Sequence, residues 1–419
     1  MFSIGQFIQN ILLILAAITA SKYTLYLITS LFYMYSRRKY LRKAISVSKR
    51  DIEKMFKISV VVPAWNEAVG ILDCVRSLYK SSYSNLEIVV VNDGSKDNTD
   101  TVIKDFIKQE LPKMKSTKTF KYVSKANGGK GSALNAGIKK SNGDLIVTMD
   151  ADTIFEEDAL YNAAMYFYKT DLDAAVGNVK IANSKSLLGI IQQIEYTVGF
   201  YFKRSHSVLN SEYIIGGAFG VFRRNVFKKY GYLDERIKTE DIEYSTRLQA
   251  KGCKIFFLED AIAYTEGPVT VKDLMKQRLR WKKGRLDTFI KHKNLFLSSK
   301  KEHNKFLTYY LLPITLFYEI ELLFEPIFTL YGIYYLMDTG NLKPMFIWIL
   351  FTGFIYAFTF LFGSKKNSKK AFIFTPTYFF LSYVLTFVEV YAMYKSLRML
   401  SKKQDVVWQT WQRRGLNNV

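Results

Sequence analysis

Two aspartates one residue apart, Asp150 and Asp152, follow the apolar run 145–149. Alternate positions just past a strand turn both carboxylates toward one ion. Hard oxygen ligands of this kind suit Mg2+ or Mn2+, with phosphate oxygens completing the shell. A solvated acidic turn has the same composition, but the place of the pair behind an apolar strand favours the metal. A second acidic group, Glu240, Asp241 and Glu243, follows Thr239. Crowded carboxylates raise one another's pKa, which would suit Asp241 to proton transfer. The same residues also read as a helix N-terminus capped by Thr239. Gln277, Arg280 and Trp281 are spaced i, i+3 and i+4, so they share one helical face. With Lys272, Lys276, Lys282, Lys283 and Arg285 nearby, the plainer reading of that helix is a basic amphipathic one lying on a membrane. Gly216-Gly217-Ala218-Phe219-Gly220 lets backbone approach a ligand closely, or packs as a tight turn.

These residues need strands and helices to hold them. Residues 58–62 form a β-branched run ended by Pro63, and 68–79 carry helical spacing. A second strand, 87–91, ends at Asn92-Asp93-Gly94, and a third, 145–149, leads into Asp150. Continuous apolar strands alternating with helices predict a parallel sheet covered on both faces. Ligands of such sheets bind at the carboxyl ends of the strands, where these polar residues fall.

The chain of 419 residues carries 60 Lys+Arg against 37 Asp+Glu, a formal net charge of +23. Its hydrophobic content of 49% excludes intrinsic disorder. Two Cys exclude a disulfide-stapled fold, and with only three His a zinc site is not expected. Four apolar stretches, 7–35, 306–337, 344–362 and 371–394, flank the middle region. A bilayer span needs roughly 20 apolar residues, and the first three are long enough. No basic residue precedes the first stretch, so it reads as a retained transmembrane helix rather than a signal peptide. Arg37, Arg38, Lys39, Arg42 and Lys43 follow it, and Lys365, Lys366, Lys369 and Lys370 follow the third. The positive-inside tendency places both clusters, and the region between about 38 and 303, in the cytoplasm. The excess charge therefore marks a membrane face, and no nucleic-acid partner is expected. Pro376 and Glu389 suit a fourth stretch that lies in the interface or re-enters, leaving the basic tail inside.

Six motifs occur in order: Pro63-Ala64-Trp65-Asn66-Glu67, Val91-Asn92-Asp93-Gly94-Ser95, the Gly-rich segment from Asn127 to Asn135, Asp150-Ala151-Asp152, Thr239-Glu240-Asp241 and Gln277-Arg278-Leu279-Arg280-Trp281. Together they resemble the processive, membrane-bound, inverting glycosyltransferases of family 2, among them hyaluronan, cellulose, chitin and, most similar, bacterial poly-β-1,6-N-acetylglucosamine synthases. The likeness implies an α/β fold: a cytoplasmic GT-A-like, mostly parallel sheet domain inserted between transmembrane helices. The expected division is a transmembrane helix over 1–36, a catalytic domain over 37–303 with interfacial helices near 270–300, a membrane region over 304–394 and a basic tail over 395–419. Implied donor-binding residues are Asn66, Glu67, Asp93, Lys130, Asp150, Gln277 and Arg280, with Asp93 toward uracil and Lys130 toward the diphosphate. Asp152 and Asp150 would hold Mg2+ or Mn2+, and Asp241, with Glu240, would serve as base. Trp281, Gly216 and Gly217 would meet the acceptor. Glu319, Glu321 and Glu325 are candidates for a sugar channel, and the tail segment 407–414 for a gating lid or membrane anchor. Expected partners are a UDP-sugar, the growing polysaccharide, the lipid bilayer and a small accessory membrane subunit. A one-sugar transfer to a lipid carrier, a hyaluronan-, chitin- or glucan-type product, and a catalytically silent sugar-nucleotide sensor are the competing readings.

Overall fold

The computed structural model describes residues 4–183, 186–364, 369–406 and 415. Helices α1 (Ile4–Leu31), α2 (Tyr33–Leu41) and α3 (Lys49–Met55) lead into alternating strands and helices. These are β1 (Ile58–Ala64), α4 (Ile71–Lys80), β2 (Leu86–Asp93), α5 (Thr99–Asp105), β3 (Thr119–Lys125), α6 (Lys130–Lys140) and β4 (Leu145–Thr148). Next come β5 (Thr153–Phe155), α7 (Ala159–Phe167), β6 (Ala174–Ile181), α8 (Leu187–Val208), β7 (Gly220–Arg223), α9 (Arg224–Tyr230), α10 (Glu240–Ala250) and β8 (Ile255–Thr265). The carboxyl-terminal part is helical: α11 (Val271–Lys291), α12 (Leu312–Glu321), α13 (Glu325–Thr339), α14 (Lys343–Phe362), α15 (Lys369–Ile373) and α16 (Tyr378–Ser401).

The eight strands form one sheet in the order β3-β2-β1-β4-β7-β6-β8-β5. The expected parallel part is present, with β1 between β2 and β4. The second half adds two strands of the opposite direction: β7 runs antiparallel to both β4 and β6, and β5 antiparallel to β8, while β6 and β8 pair parallel. The sheet is mixed. Pro63 does not end β1, which continues to Ala64. Pairing with β4 stops at Val61↔Thr148, so past that point no ladder on that side needs the N–H that proline lacks. Every residue of β2 is buried, as a strand covered on both faces must be. At the edge, β3 places Lys121 and Lys125 on a partly exposed strand, which discourages pairing with another chain.

A second core joins α1, α8, α11 and α16 through Tyr26, Ile190, Ile194, Leu274 and Val388. Among the described residues, two helical segments are long and apolar enough to cross a membrane, Gly5–Leu41 and Lys343–Phe362. The stretch 306–337 is not one continuous helix. It opens with a π-helical turn, Leu307–Leu311, and breaks between α12 and α13, each of which carries a proline in its first turn. The fourth stretch also breaks, at the 3-10 turn Thr375–Thr377 containing Pro376, before α16 runs along α11. The tail segment 407–414 lies outside the described residues.

Candidate active site

The carboxyl ends of β1, β2 and β4 open into a cavity of about 580 Å³. Glu67, Asp93, Lys130, Asp150, Asp152, Gly216, Gly217, Asp241, Gln277, Arg280 and Trp281 all line it. Residues spread over more than two hundred positions of sequence thus converge on one space. Asn66 is not among the lining residues. Its backbone sits at φ 57°, and its side-chain oxygen accepts the Lys96 N–H at 2.8 Å, so it braces the loop after β1. Glu240 is buried directly behind the lining.

Asp93 accepts from Lys125 Nζ at 2.6 Å, Gly128 N at 3.0 Å and Gly129 N at 2.7 Å. A carboxylate has about four acceptor positions, so little remains for a base edge. Its structural work is to fold the Gly-rich loop that starts α6 and presents Lys130. The Lys130 ammonium lies 2.5 Å from Asp150 Oδ1 and 3.6 Å from Glu240 Oε1. Burial alone would lower this ammonium, but Asp150, Glu240 and Asp241 outweigh it and hold it above the ordinary lysine range. Gly217 belongs where it is for a steric reason: a Cβ there would meet Lys130 Nζ at 2.5 Å.

Asp241 is fixed at the start of α10. Its Oδ2 accepts the Gly217 N–H at 2.8 Å, and its Oδ1 accepts its neighbour Ile242 N–H at 2.9 Å. The acidic cluster around it divides by partner. Glu243 turns away to Arg247, Lys291 and His292, whose hydrogen bonds outweigh burial and bring its carboxyl down to about 2. Glu240 has its carboxyl pushed up to about 7, chiefly by burial and then by Asp241, against the pull of Lys130. Thr239 does not cap α10: its hydroxyl has no hydrogen-bond partner among the described residues. Gly284 of α11 presses on it instead, so closely that a Cβ at 284 would come within 2.1 Å of Thr239 Oγ1.

Helix α11 brings the Gln277 face to the cavity. Gln277 is buried, and its side-chain oxygen lacks a partner among the described residues, so a ligand donor would satisfy it. Most of the basic residues thought to favour a membrane-surface helix are occupied within the protein. Lys282 pairs with Glu319 and Glu389, Arg285 with Glu319, Lys283 with Asp287 and Lys276 with Asp273. Glu319 is thus consumed by α11 rather than left to line a channel. Glu321 and Glu325 likewise do not line this cavity.

Asp150 and Asp152 stand one residue apart at the cavity wall, Asp152 buried and accepting from Thr265 Oγ1 at 3.3 Å. Among the described residues no group of three or more His, Cys, Asp or Glu side chains converges on one point. Two hard carboxylates fit a divalent ion whose remaining ligands are phosphate oxygens and water.

Sequence reading missed residues farther along the same wall. Lys203 and Glu212 pair at 2.8 Å, and Glu195 and Tyr196 of α8 line the cavity, as do Lys22, Tyr23 and Tyr26 of α1. A lone charge inside an otherwise apolar helix was the available signal at Lys22.

Residues 59–231 match the family model described as glycosyl transferase family 2. The poly-beta-1,6-N-acetyl-D-glucosamine synthase of Staphylococcus epidermidis is 34% identical over 262 residues, 62% of this chain and 61% of that protein. The Staphylococcus aureus (strain COL) protein of the same name is 33% identical over 265 residues, 62% of each. The matched region thus covers less than two-thirds of these relatives' length. A mannosyltransferase from Pyrobaculum calidifontis, solved in complex with GDP-Man and Mn2+, has a TM-score of 0.55 at 17% identity, covering 92% of this chain and 99% of that one. That likeness is one of fold.

Proposed function

Because residues 59–231 match the family model of glycosyl transferase family 2, we propose that the protein is an inverting hexosyltransferase that polymerises β-linked N-acetylglucosamine from UDP-N-acetylglucosamine. In this reading it works processively, from the cytoplasmic side, and exports the chain through its membrane helices. One observation carries the proposal: a single cavity joins the strand-end carboxylates, Asp241 and the Trp281 indole, and continues to Tyr23 and Tyr26 of the first apolar helix.

The chemistry follows from the placements. Glu67 and Asp93 flank the nucleoside end. Lys130 and Arg280 meet the diphosphate as cations, which stabilises the charge that builds on the leaving group. Asp150 and Asp152 would hold Mg2+ or Mn2+, which supplies further neutralisation of that charge. Asp241, anchored by two N–H groups, takes the proton from the acceptor hydroxyl as it attacks the anomeric carbon from the face opposite the diphosphate. The Gly217 backbone and the Trp281 ring bound the space where the acceptor sugar sits.

The test is a donor screen on purified protein in detergent, with UDP release as readout and linkage-specific digestion of the product. A polymer of N-acetylglucosamine cut by a β-1,6-specific hydrolase is expected, and Asp241→Asn should bind donor without turnover. A lipid-linked monosaccharide as sole product would replace the polymerase with the one-sugar transferase. Digestion only by hyaluronan-, chitin- or glucan-specific enzymes would reassign the polymer. No UDP release with any donor would leave a sensor.

A further inference from the structure

Trp281 stands on another side chain. The Arg278 guanidinium lies 4.4 Å from the indole centroid, one helical turn back on α11. Arg278 is itself nearly inaccessible, its side chain 5% exposed, and a buried guanidinium must have its charge and donors matched. The match comes chiefly from α8: Glu195 takes Arg278 Nη1 at 2.8 Å and Nη2 at 2.6 Å, a two-toothed pairing. Glu389 of α16 stands farther off, at 3.4 Å.

We propose that Glu195 is a positioning residue for acceptor binding, which holds the Arg278 guanidinium flat against one face of the Trp281 indole so that the other face is presented to the sugar. The inference rests on the reading of Trp281 as the acceptor platform. An indole has two free torsions, and a stacked cation on one face limits them. The fork of Glu195 fixes the plane of that cation, which a single point contact would leave free to rotate. Without Glu195 the guanidinium keeps, among the described residues, the ion pair with Glu389 on the α16 side. Arg278 then turns toward α16, and the indole loses its backing. Glu195 also lines the cavity, so its loss acts beside the acceptor path and not at the strand ends where the donor sits.

The experiment compares Glu195→Gln, Glu195→Asp, Arg278→Lys, Trp281→Ala and the double variant Glu195→Gln/Trp281→Ala, all as full chains in detergent. Product length, KM for an oligosaccharide acceptor and affinity for UDP are measured. A cation held over an indole is worth a few-fold to tenfold in retention, so Glu195→Gln and Arg278→Lys should shorten the product and raise acceptor KM by roughly that factor. UDP affinity should stay at the wild-type value, which also certifies the fold. Glu195→Asp should recover part of the loss, and the double variant should be no worse than Trp281→Ala alone. Wild-type product length in both Glu195→Gln and Arg278→Lys overturns the inference, as does a further loss in the double variant, because Glu195 would then act by another route. Wild-type length in Trp281→Ala overturns the platform reading itself, and this inference with it.

Discussion

Lys130 is surrounded by three carboxylates, and Gly217 leaves the room it needs. Gly217→Ala should therefore keep the fold, because the first atom displaced is the end of a flexible side chain, yet weaken donor binding by moving Lys130. Gly216 has open space around its Cβ position, so Gly216→Ala should leave donor KM unchanged. Measured KM values for the two variants decide the matter: equal values would detach Lys130 from the donor. Glu240 offers a test by pH. Its carboxyl sits near 7 in the folded protein against an ordinary 4.5, so between those values the folded state holds a proton that the unfolded chain has released. That contribution to stability is present below 4.5 and is lost as pH rises through 7. Glu240→Gln, with no such proton to lose, should gain in Tm relative to wild type as pH rises from about 5 to 8. A difference in Tm that does not change with pH would remove Glu240 from the buried cluster.

Helices α10 and α11 meet where Gly284 presses on Thr239. Gly284→Ala should force α11 off α10 at a cost of about 1–3 kcal/mol, as overpacking does. It should also lower turnover more than UDP affinity, since Asp241 and Trp281 ride on the two helices it separates. Unchanged turnover would show that their spacing is set elsewhere. That contact also explains a limit of the sequence: Thr239 reads as a cap, but the distant Gly284 packs against its side chain and the hydroxyl makes no cap bond. The parallel strands were legible because their apolar runs are continuous and end at polar residues. Strands β6, β7 and β8 were not, since Ala174–Ile181 and Gly220–Arg223 acquire strand character from partners far along the chain. Asp93 and Lys130 were legible as strand-end and loop residues, whereas Glu195 was not, because its partner Arg278 lies 83 positions away.

Apolar side chains left open on the carboxyl-terminal helices, among them Leu330, Ile347, Leu350 and Phe387, fit a chain embedded in lipid. The proposed orientation, with the sheet domain on the cytoplasmic side, predicts that Ser116 on its exposed surface should resist a membrane-impermeant thiol reagent in intact cells when changed to Cys. Asn341→Cys, between α13 and α14, should react from outside. Both native cysteines, Cys74 and Cys253, are buried, so background labelling should be low. The reverse pattern would invert the orientation.

The Lys130–Asp150 contact bears on the order in which things arrive. An ammonium 2.5 Å from Asp150 makes that aspartate a poor landing place for a free divalent ion, because the incoming charge would meet another of the same sign. A diphosphate changes the balance, drawing Lys130 to itself and offering oxygens to the ion. Metal and nucleotide should therefore load as one complex, each raising the affinity of the other by the same factor. Calorimetry should find little heat from Mn2+ alone and a clear binding isotherm once UDP is present. In Lys130→Ala, Mn2+ should bind alone and the dependence on UDP should fade.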